Sequence, residues 1–496
     1  MYSPPFRPLT KEEDEKVIRQ ISESKPDFIW VALGAPKQEK WMYNHMNKVN
    51  GVMLGVGAAF DFEAGTVKRA PLWMQELCLE WFYRILQDPM RLIPRYFRTN
   101  LSFLWNVSKE TRRIKKEKKK KTKMKIAMIG HKRIPSREGG VEVVVEELSA
   151  RLIEHGYAVE AYNRAGYHVS GKDFEDTHKK IYRQIRIIVI PTLRNGKLNA
   201  IIYSILATLR ALFGRYDVIH YHAEGPCTTL FIPRLFGIRI VATIHGLDWQ
   251  RAKWGNFASK VLKFGEKMAA KYADEVIVLS KNVQEYFCNT YGRETHYIPN
   301  GINRPEIRDI KEIKDKYGLE KDGYILFLAR LVPEKGLHYL IEAYEQLATD
   351  KKLVIAGGSS HSFDYIKQIK EMSMRDDRII MTDFVQGRVL QELYSNAYLF
   401  VLPSDIEGMA LSLLEAMSYG NCCLVSDIPE NIEVVEDKAV SFKKGNVEDL
   451  KEKLADLLEH PEKVQKYKNE STEFICGKYN WDEVVNQTMA LYNRGK

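Results

Sequence analysis

The chain has 496 residues and a net charge of +10, and it is 45% hydrophobic and 28% charged. This length exceeds what one hydrophobic core serves, so two to four globular domains are expected. Six scattered cysteines without a C-x-x-C pair argue against a disulfide framework and a zinc site. The N-terminus lacks an apolar signal core, and no apolar run reaches the ~18 residues of a membrane span. These features predict a cytoplasmic protein.

The basic excess is concentrated in one segment. Residues 84–123 contain 14 Lys/Arg and 3 Asp/Glu, a net of +11, so the rest of the chain is close to neutral. Aromatic and aliphatic residues alternate with arginines over 72–110, and a lysine run follows at 111–123. This pattern favours a basic amphipathic helical segment that binds an anionic membrane surface. A solvated linker is the alternative, and nucleic acid is the least favoured partner.

The first module spans residues 1–110, and 111–123 form a basic linker. Its motifs are Ser3-Pro-Pro-Phe6, Leu33-Gly-Ala-Pro-Lys-Gln-Glu-Lys-Trp41, Gly55-Val-Gly-Ala-Ala-Phe-Asp61 and Lys68-Arg-Ala-Pro71. They resemble the C-terminal half of the WecG/TagA/CpsF glycosyltransferase family. The resemblance implies that Gln38 and Glu39 lie near the nucleotide of a UDP-sugar. The half that carries the catalytic aspartate of that family is not matched. We therefore expect a partial α/β domain with a vestigial nucleotide site and no independent activity, which a partner polypeptide could complete.

The second module begins at Met124 with alternating apolar strands and helical segments. The predicted strands are 124–130, 158–162, 185–190, 218–221, 238–244 and 275–279, followed after residue 301 by 324–328, 353–356, 379–381, 399–402 and 421–426. Such alternation predicts parallel, doubly wound sheets. We expect two Rossmann-like domains, 124–300 and 301–496, that face a cleft. A final helix over 481–491 is expected to cross back to the first of them.

Polar residues follow the strand ends in the first of these domains. Gly139-Gly140 opens a helix after the first strand, where bare backbone amides can approach a phosphate, although a tight turn explains the pair equally well. His245 ends a later strand, at the sheet edge where ligands bind. His220 and His222 end another strand, and one of them is expected to face the cleft. No carboxylate stands at metal-ligand spacing, so no metal site is predicted.

The second domain carries two cations and two carboxylates. Arg330 and Lys335 follow a strand end and suit a diphosphate, whereas Glu407 and Glu415 can accept hydrogen bonds from sugar or ribose hydroxyls. Glu407 is expected in a loop and Glu415 on the helix that follows it. Each residue alone could be a solvated charge or a helix-face ion pair, but their combination favours a nucleotide-sugar site.

Together with Gly246-Leu-Asp-Trp-Gln-Arg-Ala-Lys-Trp-Gly255 and Tyr297-Ile-Pro-Asn-Gly301, these motifs resemble the retaining glycosyltransferases of family 4, in a rhamnosyltransferase-like subgroup. The resemblance covers about 124–490 and implies the GT-B type of two facing Rossmann-like domains. It assigns Arg330 and Lys335 to the donor diphosphate, Glu415 to the ribose, Glu407 to the donor sugar and His245 to the reacting centre. Gly139 and Gly140 are also predicted to bind the donor. Pro299-Asn-Gly301 departs from the Pro-Tyr-Gly common in that subgroup.

Together, the two resemblances imply a peripheral inner-membrane enzyme of bacterial surface polysaccharide assembly, such as capsule or O-antigen. It would move a sugar from a nucleotide-diphosphate donor to a lipid-linked or oligosaccharide acceptor, with retention and without a cofactor or metal. A glucosyl-, galactosyl- or mannosyltransferase of the same fold is the alternative within the enzymes. A non-catalytic scaffold that docks a partner synthase is the alternative outside them.

Overall fold

The computed structural model describes residues 2–57 apart from 6 and 35, eight positions between 70 and 90, and residues 124–494 apart from 166–179, 193–195, 251–255 and 359–361. The chain divides into two compact units, 1–116 and 117–496. The predicted basic amphipathic segment lies almost entirely outside the described residues, as does the whole predicted linker at 111–123.

The described part of the first unit is a small α/β arrangement. Its elements in chain order are α1 (Lys11–Ser24), β1 (Phe28–Val31), α2 (Lys37–His45) and β2 (Val52–Gly55). The two strands pair in parallel. Helix α1 begins with a capping box between Thr10 and Glu13, which satisfies backbone N–H groups at the helix start. His45 joins α2 to α1, because its Nε2 lies 2.8 Å from Asp14 Oδ2.

The second unit opens with an eight-stranded sheet in the order β10-β9-β8-β7-β3-β4-β6-β5. The strands are β3 (Lys125–Ile129), β4 (Ala158–Arg164), β5 (Ile181–Tyr182), β6 (Ile185–Ile190), β7 (Val218–His222), β8 (Arg239–Ile244), β9 (Glu275–Val278) and β10 (His296–Tyr297). The helices are α3 (Gly140–Glu154), α4 (Gly196–Leu212), α5 (Glu224–Cys227), α6 (Phe231–Leu235), α7 (Asn256–Tyr272) and α8 (Lys281–Tyr291). All pairs are parallel except β5 with β6.

A second sheet has six parallel strands in the order β13-β12-β11-β14-β15-β16. The strands are β11 (Tyr324–Leu328), β12 (Lys352–Ala356), β13 (Ile379–Asp383), β14 (Leu399–Leu402), β15 (Cys423–Ser426) and β16 (Val440–Phe442). The helices are α9 (Glu312–Tyr317), α10 (Leu337–Glu345), α11 (Phe363–Ser373), α12 (Gly387–Asn396), α13 (Leu411–Ser418), α14 (Pro429–Val435), α15 (Val447–Glu459), α16 (Pro461–Lys478) and α17 (Trp481–Asn493).

The strands form because their apolar runs are buried on both faces by helices. All residues of β14 and β15 are buried, as parallel sheets covered on both sides require. The predicted strands 185–190, 324–328 and 399–402 match the observed ones residue for residue. The prediction of two doubly wound, Rossmann-like domains is therefore confirmed.

The last helix, α17, packs on the first sheet rather than the second. Trp481 and Tyr492 lie in the same hydrophobic cluster as Ile126 and Val159 of β3 and β4. Arg239 of β8 donates two hydrogen bonds to the carbonyl oxygen of Leu491. The chain thus crosses between the two domains a second time, as predicted, and α17 ties its end to the first domain.

Candidate active site

The carboxyl ends of two neighbouring strands bring Lys335 and Glu407 together. Lys335 ends the 3-10 turn Pro333–Lys335 after β11, and Glu407 lies in the loop after the adjacent β14. Lys335 Nζ forms an ion pair with Glu407 Oε1, and Ser404 Oγ donates to the same oxygen at 2.7 Å. Both charged side chains are buried. The pair is thus held in place at the carboxyl edge of the sheet, which is the edge where open α/β sheets bind their ligands.

A glycine lets the lysine turn reach this position. Gly336 has φ of 66°, and a Cβ there would lie 1.9 Å from the carbonyl oxygen of Pro403 at the end of β14. Only glycine accepts both the left-handed backbone and this close approach. The turn therefore sits against β14, and Lys335 faces the loop that carries Glu407. Arg330 follows β11 on the same edge and is half-buried.

Glu415 lies on α13, which begins at Leu411, so Glu407 precedes the helix by four residues, as predicted. Tyr394 OH donates to Glu415 Oε2 at 3.2 Å. Burial raises the pKa of Glu415, while the positive charge of Arg137 acts in the opposite direction. Arg137 belongs to the first domain, in the loop before α3. The electrostatics of Glu415 therefore already depend on the facing domain.

The first domain contributes a pair of histidines. His222 Nδ1, at the end of β7, lies 3.1 Å from Nε2 of His245, which follows β8. His222 is 1% exposed, so it reaches His245 without opening to the cleft surface. His220 is sealed in the core, where its ring nitrogens contact Tyr492 OH at 2.6 Å and Thr243 Oγ1 at 2.7 Å. Of the two, His222 is the one linked to the site.

The loops of the two domains touch directly beside these residues. A Cβ on Gly408 would lie 1.7 Å from the carbonyl oxygen of His245, and one on Gly246 would lie 2.9 Å from the Cα of Gly408. The backbone after His245 therefore rests against the backbone after Glu407. This contact places the histidine loop and the glutamate loop in one site.

Gly139 and Gly140 open α3 as predicted. Gly140 faces the second domain, since a Cβ there would lie 3.3 Å from Cδ1 of Leu411. The helix start also holds a carboxylate of its own chain. Glu142 Oε1 accepts from Lys132 N at 2.9 Å, and a Cβ on Gly139 would lie 2.5 Å from Glu142 Oε2. The positive end of α3 thus already faces an anion, which weakens its attraction for a phosphate.

A cavity of about 500 Å³ lies between the two domains next to Glu407. Asn282 and Gln250 line it from the first domain, and Asp405 and Asp427 line it from the second. Carboxylates and carboxamides are groups that bind sugar hydroxyls, because they offer paired acceptors and donors. The cavity is large enough for a small saccharide.

In the first unit, Gln38 and Glu39 occupy the start of α2. Gln38 Nε2 donates to Glu39 Oε1 at 3.0 Å, and Gly57 N, in the turn after β2, donates to Gln38 Oε1 at 3.2 Å. Gln38 is buried and links the helix to the strand end. The observed hydrogen bonds of Gln38 are thus contacts within the first unit that hold the start of α2 against the turn after β2.

No group of three or more His, Cys, Asp or Glu side chains with the geometry for a metal ion occurs among the residues that the structure describes. Within the same residues, none of the helices has the length and apolar character of a membrane span.

Three contacts of this site were not predicted from the sequence: the Ser404 bond to Glu407, the charge of Arg137 near Glu415 and the His222–His245 pair. Ser404 precedes Glu407 by three residues, a spacing that could have indicated a local hydrogen bond. Arg137 and His222 gave no such signal, because their partners are far away in sequence.

The two facing Rossmann-like domains, with cationic and carboxylate groups at their shared edge, define a glycosyltransferase of the GT-B type. Three sequence families match the chain: "Glycosyl transferase WecG/TagA/CpsF family" at 1–117, "Glycosyltransferase Family 4" at 138–304 and "Glycosyl transferases group 1" at 309–474. The chain therefore belongs to the glycosyltransferases and joins a WecG/TagA/CpsF region to the two domains of a family 4 enzyme.

Individual relatives match different parts of the chain. The uncharacterized glycosyltransferase MJ1607 of Methanocaldococcus jannaschii is 26% identical over 74% of this chain and 98% of its own length. N-acetylglucosaminyldiphosphoundecaprenol N-acetyl-beta-D-mannosaminyltransferase of Staphylococcus aureus is 41% identical over 107 residues. Those residues are 21% of this chain and only 41% of that enzyme. Among solved structures, sucrose-phosphate synthase from Thermosynechococcus elongatus superposes with a TM-score of 0.65 at 21% identity, over 75% of this chain and 99% of that one.

Proposed function

We propose that the second unit transfers a sugar from a nucleotide-diphosphate donor with retention of anomeric configuration, and that the donor lies between His245 and the Lys335–Glu407 pair. The observation that supports this most strongly is the preorganised ion pair at the edge where the two domains meet. Lys335 supplies a buried positive charge, and Glu407 beside it can accept hydrogen bonds from sugar hydroxyls. This combination suits a substrate that carries an anionic leaving group and a neutral sugar.

In the proposed reaction the bond between the anomeric carbon and the diphosphate oxygen breaks, and its electron pair leaves with the diphosphate. Arg330 and Lys335 stabilise the negative charge that develops there, so neither a cofactor nor a metal is required. Glu407 orients the sugar hydroxyls, and Glu415 binds the ribose. The acceptor hydroxyl attacks the same face, and its proton passes to the leaving phosphate oxygen. Positioning supplies most of the rate enhancement.

We propose a lipid-linked or oligosaccharide acceptor in bacterial surface polysaccharide assembly. The mannosaminyltransferase that resembles the first unit is named for an undecaprenol diphosphate-linked acceptor, which supports this context. A deoxyhexose such as rhamnose is our preferred donor sugar, on the resemblance of 124–490 to rhamnosyltransferase-like enzymes. Glucose, galactose and mannose are the alternatives that the same fold accommodates.

We further propose that the chain is peripheral on the cytoplasmic face of the membrane, through residues 72–123. The support is the net charge of +11 over 84–123. Each basic residue near an anionic lipid surface contributes about 1 kcal/mol of binding free energy. The first unit would then bring the transferase to its lipid-linked acceptor, and a partner polypeptide could complete its partial domain.

The test is a donor-binding screen. The full chain is heated with UDP-, GDP- and dTDP-sugars, and the shift in unfolding temperature is recorded for wild type and for R330A/K335A. Lys314→Ala is the matched control, because that lysine is exposed and pairs with Glu320 at the surface. We expect one nucleotide to stabilise wild type and the control but not the double variant.

Stabilisation of the double variant to the same extent as wild type would contradict the proposed site. A failure of every donor to shift the unfolding temperature would move support to the scaffold hypothesis.

A further inference from the structure

Three histidines of the first domain lie in a row behind the proposed reacting centre. The rings of His220 and His222 are stacked with centroids 4.2 Å apart, and the ring of His245 follows at 5.4 Å from that of His222. At the far end, His220 contacts the hydroxyl of Tyr492 on α17. The row thus runs from the last helix of the chain to His245.

The inner two histidines are held in fixed positions. His220 is fully buried and both its ring nitrogens have hydrogen-bond partners, Tyr492 OH and Thr243 Oγ1. Burial lowers the pKa of His220 to about 3, and burial together with the neighbouring histidines lowers the pKa of His222 well below its ordinary value. Both rings are therefore neutral at physiological pH. A neutral imidazole has one N–H donor and one nitrogen that can only accept. In the hydrogen bond between His222 and His245, one ring must therefore donate and the other must accept.

The surroundings of His222 indicate that direction. Its Nε2 is buried without a hydrogen-bond partner among the described residues. If Nδ1 accepted from His245, Nε2 would be an unpaired buried N–H, which is rarer in native structures than an unpaired acceptor. If Nδ1–H donates, only a bare lone pair is left at Nε2. His222 therefore donates from Nδ1 to Nε2 of His245.

His131 provides an independent example at the same sheet edge. Its Nε2 lies 3.0 Å from Asn163 Oδ1, which also accepts from Ile134 N. Since that oxygen can only accept, His131 must donate from Nε2, and its buried Nδ1 has no partner among the described residues. A buried neutral histidine with a bare acceptor nitrogen is thus already tolerated beside His222.

We propose that His222 is a positioning residue for the transfer reaction: it fixes the ring orientation of His245 and, by donating to Nε2, keeps the ring N–H of His245 on Nδ1. His245 then offers an N–H donor, rather than a lone pair, to a hydroxyl of the sugar. His222 itself touches no substrate. The catalytic role of His222 rests on the proposed function. The tautomer of His245 does not, because it can be observed directly.

The tautomer is tested by NMR on the full chain with ¹⁵N-labelled histidine, through long-range ¹H–¹⁵N correlations at neutral pH. His222→Phe and His245→Ala assign the signals. We expect His245 with a protonated Nδ1 and an acceptor-type Nε2, and His222 with its proton on Nδ1. A proton on Nε2 of His245 in the wild-type protein would overturn the proposal.

Kinetics test the proposed role of His222 in transfer. The measured quantity is the nucleoside diphosphate released from the donor that stabilises the wild-type protein in the thermal screen. A misplaced reacting group costs up to about 100-fold in rate, so His222→Phe should lower kcat by about that factor with little change in the donor KM. His222→Asn can restore a donor near the position of Nδ1 and should recover most of the loss. Exposed His155→Asn is the control and should match wild type.

The outcomes separate the two claims. If His245→Ala transfers sugar normally, the proposed role of His245 is wrong, and the NMR result still decides the pairing. If His245→Ala is slow while His222→Phe is normal, only the positioning role fails. If His222→Asn lowers kcat as much as His222→Phe does, the ring of His222 only fills space and does not orient His245.

Discussion

At the scale of single residues, the site depends on a buried ion pair. Lys335 and Glu407 are buried, and Ser404 supplies a further hydrogen bond to Glu407 Oε1. Removing one member of such a pair leaves an unpaired buried charge, which is strongly destabilising, whereas the intact pair adds little net stability. The pair is therefore better explained by binding and catalysis than by folding.

Glu407→Gln should therefore lower the unfolding temperature, because Lys335 loses its counter-charge, and the protein that remains folded should lose transfer. The amide keeps a hydrogen-bond acceptor for the sugar but no longer matches the charge of Lys335. We expect a fall in kcat of about 100-fold, measured as product formed under saturating donor, since charge-assisted contacts to the reacting sugar are lost. Glu154→Gln, on the exposed end of α3, is the control. Wild-type turnover in Glu407→Gln would exclude a direct role for this carboxylate.

A second residue-scale prediction concerns Glu224, which is fully buried at the start of α5. Burial and the neighbouring carboxylates of Asp248 and Glu266 raise the pKa of Glu224 far above its ordinary value. In the unfolded chain, Glu224 is ionised once the pH exceeds its ordinary pKa of 4.5. The stabilising contribution is therefore complete below pH 4.5 and is lost as the pH rises toward the folded-state value.

Glu224→Gln removes this titration. The unfolding temperature of the variant should therefore rise relative to wild type as the pH increases from 5 to 9, in thermal scans at matched ionic strength. The variant that leaves the titration intact, Glu154→Gln, should track wild type throughout. A difference between Glu224→Gln and wild type that does not change with pH would show that Glu224 is ionised in the folded protein.

At the scale of elements, the loops after β8 and β14 meet through glycine. A Cβ on Gly408 would lie 1.7 Å from the carbonyl oxygen of His245, a backbone atom that cannot move away cheaply. Gly408→Ala should push the two loops apart and lower transfer more than it lowers the unfolding temperature. Gly477, on α16, is the matched control, because a Cβ added there would meet no described atom within 4 Å.

Gly477→Ala should leave activity unchanged and can stabilise the helix by roughly 0.5–1 kcal/mol. Full transfer activity in Gly408→Ala would mean that the observed loop contact is not needed in the catalytic cycle.

The sequence predicted the strands well because parallel strands covered on both faces are continuous apolar runs. The strand at 185–190 and that at 399–402 show this directly. The sequence also placed Lys335 and Glu407 after strand ends, where the structure has them, at the edge where such sheets bind ligands. It could not predict the contact of Gly246 with Gly408 or of His222 with His245. Those contacts depend on how loops and domains close on each other, which local periodicity does not encode.

The start of α3 illustrates the same limit. Gly139 and Gly140 indicated a bare helix end suited to phosphate, but the structure places the carboxylate of Glu142 there. A side chain three residues into the helix folds back on its own terminus, and the glycine pair alone gives no sign of this. The diphosphate is therefore expected to depend on Arg330 and Lys335 more than on α3.

At the scale of the whole molecule, the chain consists of two compact units with separate proposed tasks. Residues 117–496 contain both Rossmann-like domains, and α17 ties the end of the chain to the first of them. We expect this unit alone to bind the donor with the same nucleotide preference as the full chain. The measurement is the dissociation constant of each by calorimetry, and a loss of binding in the isolated unit would show that the first unit is needed.

Membrane attachment, unlike donor binding, should require the residues that precede the second unit. The full chain should sediment with vesicles that contain anionic lipid, and the association should weaken as salt is raised, because screened charges attract less. Residues 124–496 should remain in the supernatant. Equal partition of both chains onto the vesicles would assign the membrane contact to the Rossmann-like unit instead of residues 72–123.

The most direct test of the central claim is the configuration of the product. The full chain is incubated with the donor that stabilises it and an oligosaccharide acceptor, and the anomeric proton of the product is followed by NMR from the first turnovers. We predict the donor's own anomeric configuration in the product and no product with R330A/K335A. An inverted anomer would contradict the retaining mechanism, and transfer by the double variant at the wild-type rate would contradict the proposed site.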